Sequence, residues 1–349
     1  METEMRDVQK WKETAGADTE VFCMEQKETP EPAGILRRFG TEPLLKAVPG
    51  HDWENRYVLN PGALRLNDRV YLFYRAVGED GISRIGLAVT DGKRVLHRLP
   101  YPVFSPETEA EKRGVEDPRL VWIRETDTVW MFYTAYDGKT AQIAAASIRR
   151  TDFLDGRFGW RRVGLVFPGV WDKDAVLFPE KIRGKYVLYH RLEPSIWMTT
   201  LPALTFPGEL GQVIVKPRPL PFWDCVKLGA GSQPLKTAYG WLLFYHGVDR
   251  NGIYRLGILL TALEDPGKIL YRSPNPVLEP QTRYEIGENG DWVPNVVFTC
   301  GAVGGTNREV LEAEDEVWVY YGAADSRIGM AYARIGELIP AAYRKPNEP

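Results

Sequence analysis

The sequence predicts an all-β chain folded as a five-bladed β-propeller, on the strength of three elements that recur together five times. The first is a proline motif: Asn60-Pro61-Gly62, Glu116-Asp117-Pro118-Arg119, Phe178-Pro179-Glu180-Lys181, Ser232-Gln233-Pro234 and Val293-Pro294-Asn295, with prolines 57, 61, 55 and 60 residues apart. The second is an apolar run centred on tyrosine: Tyr71-Leu72-Phe73-Tyr74, Trp130-Met131-Phe132-Tyr133, Tyr186-Val187-Leu188-Tyr189, Leu242-Leu243-Phe244-Tyr245 and Val317-Trp318-Val319-Tyr320-Tyr321. The third comprises Ile85-Gly86-Leu87-Ala88, Ile143-Ala144-Ala145-Ala146, Ile196-Trp197-Met198, Leu256-Gly257-Ile258-Leu259 and Ile328-Gly329-Met330-Ala331. A fixed period of several tens of residues, each unit made of short β-rich runs, is the signature of small sheets arranged radially.

In chain order, residues 1–33 are polar, carry no blade pattern and read as an N-terminal tail. The stretch from Leu36-Arg37-Arg38-Phe39 to Trp53-Glu54 leads into the first motif and is expected to close the ring against the last blade. The propeller then occupies residues 34–340, and the Pro-rich residues 341–349 read as a C-terminal tail. Proline lacks a ladder donor and is tolerated at strand starts and edges, which suits an innermost strand beginning at the funnel mouth. No Ser/Gly-rich or charged linker interrupts the repeat.

Composition narrows the function. The 349 residues include 44% hydrophobic and 12% aromatic positions, enough for a large core, and no apolar run approaches the roughly 18 residues of a membrane span. Met1-Glu2-Thr3-Glu4-Met5-Arg6-Asp7 lacks the basic and then apolar regions of a signal peptide, so the cytoplasm is the expected compartment. Three widely spaced cysteines, Cys23, Cys225 and Cys300, support neither a disulfide framework nor a zinc cluster. A net charge of −3 argues against a nucleic-acid partner. Nothing in the chain fixes its oligomeric state, and a homo-oligomer is compatible with it.

A radial fold brings the first strand of every blade to one axis, so the five motifs should meet around one funnel. They bring carboxylates (Asp117, Glu180), amides (Asn60, Gln233, Asn295) and cations (Arg119, Lys181). The tyrosine runs end in Arg75, Thr134, His190-Arg191 and His246, and the fifth is followed by Ala324-Asp325-Ser326. Trp53, Trp171, Trp223 and Trp292 lie near the mouths, where they could stack on sugar faces. Inverting hydrolysis needs an acid and a base about 6.5–9.5 Å apart. Phosphate arrives already anionic, so a phosphorolytic enzyme needs one carboxylic acid and a cradle of Arg, Lys and His donors.

Six ordered motifs carry a family resemblance across roughly residues 36–340. Asn60-Pro61-Gly62-Ala63, Glu116-Asp117-Pro118-Arg119, the run from Lys173-Asp174-Ala175 to Phe178-Pro179-Glu180-Lys181, Gly229-Ala230-Gly231-Ser232-Gln233-Pro234, Gly240-Trp241 to His246-Gly247, and Val293-Pro294-Asn295-Val296-Val297-Phe298 resemble glycoside hydrolase family 130, the β-mannoside phosphorylases. The closing Tyr320-Tyr321-Gly322-Ala323-Ala324-Asp325 fits as well. The resemblance implies an inverting phosphorylase, a hexosyltransferase that cleaves a terminal β-mannosyl linkage with inorganic phosphate and releases α-mannose 1-phosphate. It implies Asp117 as catalytic acid, delivering its proton through a hydroxyl of the mannose. Lys181 and His246 match phosphate contacts, with Arg119 and Arg191 as helpers. Asn60 and Asp325 match sugar-binding positions, and Arg75, Asp174, Glu180 and Tyr245 are further substrate-binding candidates. Phosphate is a substrate here, so no cofactor or metal is expected. Ser232-Gln233 departs from the small or proline residues common in the family and bears on the pocket for the second sugar. A subset of the family hydrolyses β-1,2-mannosides and lacks the full basic set.

Each assignment competes with a structural one. Arg119 could pair with Asp117, Arg191 with Glu193, Lys181 could be a solvated strand-end lysine, His246 a core histidine, and Asp325 a turn cap with Ser326. A hydrolase with Glu180 as base, or a non-catalytic glycan-binding propeller, are the rival functions. The sequence leaves linkage, acceptor sugar and chain length open.

Overall fold

The computed structural model describes residues 35–344. The tail expected at 1–33, Cys23, and the last residues of the tail expected at 341–349 lie outside them. Within them the chain is an all-β succession of five antiparallel meanders. The first comprises Tyr57–Leu66, Arg69–Val77, Ser83–Thr90 and Val95–Arg98; the second Gly114–Ile123, Thr128–Tyr136, Ala141–Arg149 and Arg161–Leu165. The third comprises Lys173–Leu177, Tyr186–Leu192, Ser195–Leu201 and Gln212–Val215. The fourth runs Lys227–Ala230, Gly240–Val248, Tyr254–Thr261 and Ile269–Arg272, with Leu235–Thr237 extending its inner edge. The fifth takes Val297–Gly304, Glu316–Ala323 and Arg327–Arg334 from the end of the chain, and its outer strand, Arg37–Arg38, from the beginning. A single bridge, Ser83 to Gly114, joins the first two meanders.

The second strands are apolar on both faces because each meander is covered on both sides. Phe73 enters the layer shared with Leu120, Met131 and Tyr133 of the second meander, whereas its neighbours Leu72 and Tyr74 enter the layer shared with Tyr320, Ile328 and Met330 of the fifth. Trp130 and Phe132 face Leu177 and Leu188 of the third meander. Tyr189 and Ile196 face Leu243 and Leu259 of the fourth, whose Phe244 and Ile258 face Val319 and Tyr321 of the fifth. Alternation along a strand thus feeds two cores at once. The last layer packs the fifth meander on the first.

A repeat that the proline motifs do not reveal locks each meander. The tyrosine of the second strand donates its hydroxyl to a buried carboxylate: Tyr74 to Glu54 at 2.8 Å, Tyr133 to Glu111 at 2.5 Å, Tyr245 to Asp224 at 2.8 Å and Tyr321 to Glu285 at 2.7 Å. An arginine of the outermost strand neutralises each carboxylate: Arg98, Arg162, Arg272 and Arg38, respectively. In the third meander His190 occupies the tyrosine's place and contacts Asp172 at 2.5 Å. Gly86, Gly257 and Gly329 stand opposite Tyr74, Tyr245 and Tyr321, and a Cβ at any of them would come within 2.7 Å of the ring. These glycines are therefore fixed by the close approach of an aromatic ring.

The strand register corrects the proline alignment. The inner strands bulge at Asn60-Pro61, Asp117-Pro118 and Asp174-Ala175, opposite Tyr74, Tyr133 and His190. The third repeat unit is therefore centred on Asp174, 57 residues after Asp117 as Asp117 is 57 after Asn60, and not on Pro179. Pro179 and Pro234 follow their inner strands and Pro294 precedes its own. The bulge selects for a residue that accepts a left-handed backbone: Asn60, Asp117 and Asp174 have φ of 47°, 50° and 61°. Asn and Asp visit that region more readily than other side chains. The expected C-terminal tail begins as a turn at Ala341–Tyr343, with the Tyr343 ring 4.8 Å from that of Tyr271. No helix among the described residues is long and apolar enough to cross a membrane.

Candidate active site

The three bulges place Asn60, Asp117 and Asp174 at the same end of adjacent inner strands; the side chains of Asn60 and Asp117 meet, and Arg119 links Asp117 to Asp174. Asn60 Nδ2 donates to Asp117 Oδ1 at 2.9 Å. Asp174 Oδ1 accepts from Arg119 Nη2 at 2.7 Å, and its Oδ2 lies 3.2 Å from Arg191 Nη1 and 3.5 Å from His246 Nε2. Arg191 Nη1 is also 3.5 Å from His246 Nε2. On the other flank, Arg75 donates to Glu116 at 2.9 Å and lies 3.7 Å from Asp117, while Lys173 Nζ is 3.3 Å from the second oxygen of Glu116. The register explains the convergence. Arg75, Arg191 and His246 are the residues paired with Leu59, Lys173 and Gly229 of the inner strands, one step past the tyrosine or histidine that turns into the sheet.

All of these groups are buried except Lys173, which is partly exposed. Burial works against ionisation of Asp174, yet Arg191 and Arg119 outweigh it and hold the carboxyl well below the usual carboxylate range. Burial likewise opposes the Arg191 charge, and Asp174 and Glu193 overcome it and hold the guanidinium protonated. His246 goes the other way: burial, aided by Arg191 and Arg119, lowers it from 6.5 to about 3 despite Asp174, so its imidazole is neutral near pH 7. Several polar atoms here have no hydrogen-bond partner among the described residues: Asn60 Oδ1, Arg191 Nε and His246 Nδ1. Buried polar atoms are ordinarily satisfied, so such a cluster is fit to receive a polar ligand. Among the described residues no group of three or more His, Cys, Asp or Glu could hold a metal ion.

The candidates from the sequence divide. Asn60, Arg75, Asp117, Arg119, Asp174, Arg191 and His246 come together. Lys181 and Glu180 do not: they lie in the turn beyond the third inner strand, Lys181 paired with Glu125 at 2.9 Å and Glu180 with Lys236 at 2.6 Å, both exposed. The register shift explains the discrepancy, since Lys173-Asp174, not Glu180-Lys181, stands level with Glu116-Asp117. Tyr245 is not at the site either. It is adjacent to His246 on the strand, so it faces the opposite way, toward Asp224. Asp325 sits at the turn after the fifth meander's second strand with φ of 47°, beside Ser326, whose hydroxyl bonds Ala324 O and accepts from Trp292 N–H. Arg119 pairs with Asp174 and not with the Asp117 carboxylate, donating to Asp117 only at its backbone oxygen. Arg191 contacts Glu193 at 3.6 Å as well as Asp174. Gln233 spends its amide on Ala63 O and Ala302 O, tying the first and fifth inner strands together. Sequence reasoning passed over Glu116 and Lys173 as site residues; the recurrence of a charged residue just before Asp117 and Asp174 was the available signal.

Known proteins of one family resemble the chain over most of its length. A family model described as β-1,4-mannooligosaccharide phosphorylase matches residues 36–344. A 1,2-β-oligomannan phosphorylase of Thermoanaerobacter sp. (strain X514) is 37% identical over 315 residues, covering 87% of this chain and 98% of that protein. A β-1,2-mannobiose phosphorylase of the same organism is also 37% identical, covering 85% and 96%. The solved structure of the β-1,2-mannobiose phosphorylase of Listeria innocua with β-1,2-mannobiose superposes with a TM-score of 0.74 at 25% identity, covering 87% of this chain and 98% of that one. Fold and relatives together define a carbohydrate-active enzyme. The chain belongs to glycoside hydrolase family 130, the family of the β-mannoside phosphorylases.

Proposed function

We propose that the protein is an inverting β-mannoside phosphorylase, a hexosyltransferase that moves a terminal β-mannosyl group onto inorganic phosphate and releases α-mannose 1-phosphate. On this reading the five meanders are the blades of a five-bladed propeller and the cluster of inner-strand side chains is its catalytic funnel. One observation carries the activity: Asp117 is bordered by an amide, while the neighbouring Asp174 is ringed by Arg119, Arg191 and His246. Arg119 and Arg191, with Lys227 beside Glu193, set three cations against the carboxylates of Asp174 and Glu193, which leaves positive charge for an anionic nucleophile. Asp117 acts as the general acid, and Asn60 orients it. The lysine of the cradle is Lys173, which replaces Lys181 in that role because it borders Glu116 and Asp174.

The substrate is a β-1,2-mannoside, a reading supported by the two relatives at 37% identity, whose names specify that linkage. Phosphate is consumed and no cofactor is required. The test is incubation with β-1,2-mannobiose with and without phosphate, followed by assay of mannose 1-phosphate. Turnover should depend on phosphate. Free mannose released at the same rate without phosphate would make the protein a hydrolase instead.

A further inference from the structure

The third meander departs from the other four at one place, and that place touches the cluster. In the first, second, fourth and fifth meanders the carboxylate behind the tyrosine is neutralised by an arginine from the outermost strand. In the third, His190 supplies the partner, with its Nδ1 2.5 Å from Asp172 Oδ2 and its Nε2 2.8 Å from Leu210 O. The carbonyl of Leu210 requires a proton on Nε2, and the short contact to Asp172 requires another between Nδ1 and Oδ2. The histidine thus stands in the arginine's place at this carboxylate. Both side chains are fully buried, with the ring centroids of Phe167 and Trp197 4.7 and 6.4 Å from that of the imidazole.

The second departure is in sequence spacing. Glu54, Glu111 and Asp224 stand six residues before Asn60, Asp117 and Ala230, and Glu285 fourteen before Thr299, whereas Asp172 stands only two before Asp174. Glu111 and Glu285 use their second oxygen, which the arginine also contacts, to cap their own loops, accepting from the N–H of Thr108 and of Thr282. Asp172 Oδ1 instead accepts from the backbone N–H of Arg191 at 3.1 Å. The Arg191 guanidinium then reaches Asp174 and His246.

We propose that Asp172 and His190 are positioning residues for Arg191, a clamp that fixes its backbone so that the guanidinium is held ready for the phosphate nucleophile. This rests on the phosphorylase reading above. Neither residue touches substrate; His190 holds Asp172, and Asp172 holds Arg191. A one-ångström displacement of a group that orients a reactant is enough to lower activity by orders of magnitude.

Titration calorimetry with inorganic phosphate, run beside thermal melting, separates the two ideas. Arg191→Ala should weaken phosphate about tenfold or more; an unchanged affinity would overturn the cradle reading itself. Asp172→Ala should weaken phosphate about ten- to a hundredfold with the mannoside KM little changed. Asp172→Asn should stay within about threefold of the parent, because its oxygen still accepts from Arg191 N–H and its amide donates to His190 Nδ1. An Asp172→Ala protein with parental affinity, while Arg191→Ala is weakened, would overturn the clamp, as would an Asp172→Asn protein as weak as Asp172→Ala. Should Asp172→Ala fail to fold, His190→Phe removes the group that holds Asp172, along with its bond to Leu210 O, and leaves Asp172 itself in place; unchanged phosphate affinity in that protein overturns the proposal equally.

Discussion

Asp174 and Arg119 are joined across the boundary between the second and third meanders by a 2.7 Å hydrogen bond, with both side chains buried. Residues 55 positions apart in sequence meet because each belongs to the bulged start of an inner strand. Asp174 is held by the guanidiniums of Arg119 and Arg191, whereas Asp117 accepts from the Asn60 amide with Arg75 3.7 Å away; on the phosphorylase reading this leaves Asp117 to act as the acid.

Asp117→Asn should therefore fold normally and lose most of its turnover. The amide oxygen still accepts from Asn60, but the amide N–H protons are far too weakly acidic to protonate the leaving oxygen, and general acid catalysis contributes about 10²–10⁴-fold. Steady-state assay with mannobiose and phosphate checks this. More than about a tenth of the original rate would transfer the acid role to another carboxyl, with Glu116 the adjacent one.

The two lysines should separate cleanly. Lys173→Ala is expected to raise the phosphate KM about tenfold or more, the weight of a charge-assisted contact, and Lys181→Ala to leave it within about twofold, since exposed pairs such as Lys181 with Glu125 contribute little. The reverse ranking in a phosphate titration would restore Lys181 to the site.

Tyr245→Phe should cost stability and spare kinetics. It removes a hydroxyl donor from the buried Asp224, a loss of about 1–3 kcal/mol. The folded fraction should keep its KM for both substrates, because the tyrosine ring points into the sheet. A selective rise in the mannoside KM would place Tyr245 at the sugar after all.

Acid should destabilise the fold partly through His246. Its native pKa is lowered to about 3 from an ordinary 6.5, so between those values the unfolded chain binds a proton that the native one does not. Stability therefore falls as the pH drops through that window, at up to about 1.4 kcal/mol per pH unit from this residue. Asp174, held below the carboxylate range, adds its own loss only below pH about 4. Denaturant unfolding of His246→Gln should show a shallower slope between about pH 4 and 6.5; an unchanged slope would mean that the imidazole is protonated in the native protein.

Stereochemistry follows from direct attack. A single displacement gives only α-mannose 1-phosphate, whereas a retaining route would need a second carboxylate about 5–5.5 Å away as nucleophile. Proton NMR of the first-formed product distinguishes them, and a β-phosphate or a trapped glycosyl-enzyme would refute the inverting route.

The sequence by itself determined the repeat, the strands and most of the cluster. Apolar runs such as Trp130-Met131-Phe132-Tyr133 feed two cores whatever their neighbours, because alternation along a strand is a local property. Asn60 and Asp117 were legible since a proline followed each. Asp174 was named for its motif, but its standing as the third member of that series was not legible, because Ala175 replaces the proline and Pro179 falls close enough to the expected spacing to take its place. Only the tertiary structure decided which face each polar residue serves. His190 and His246 both end tyrosine runs, yet one turns into the sheet toward Asp172 and the other into the cluster. A one-residue difference in where the run meets the bulge reverses the side of the sheet, and that difference is set by hydrogen bonds to a neighbouring strand, which neither composition nor spacing records.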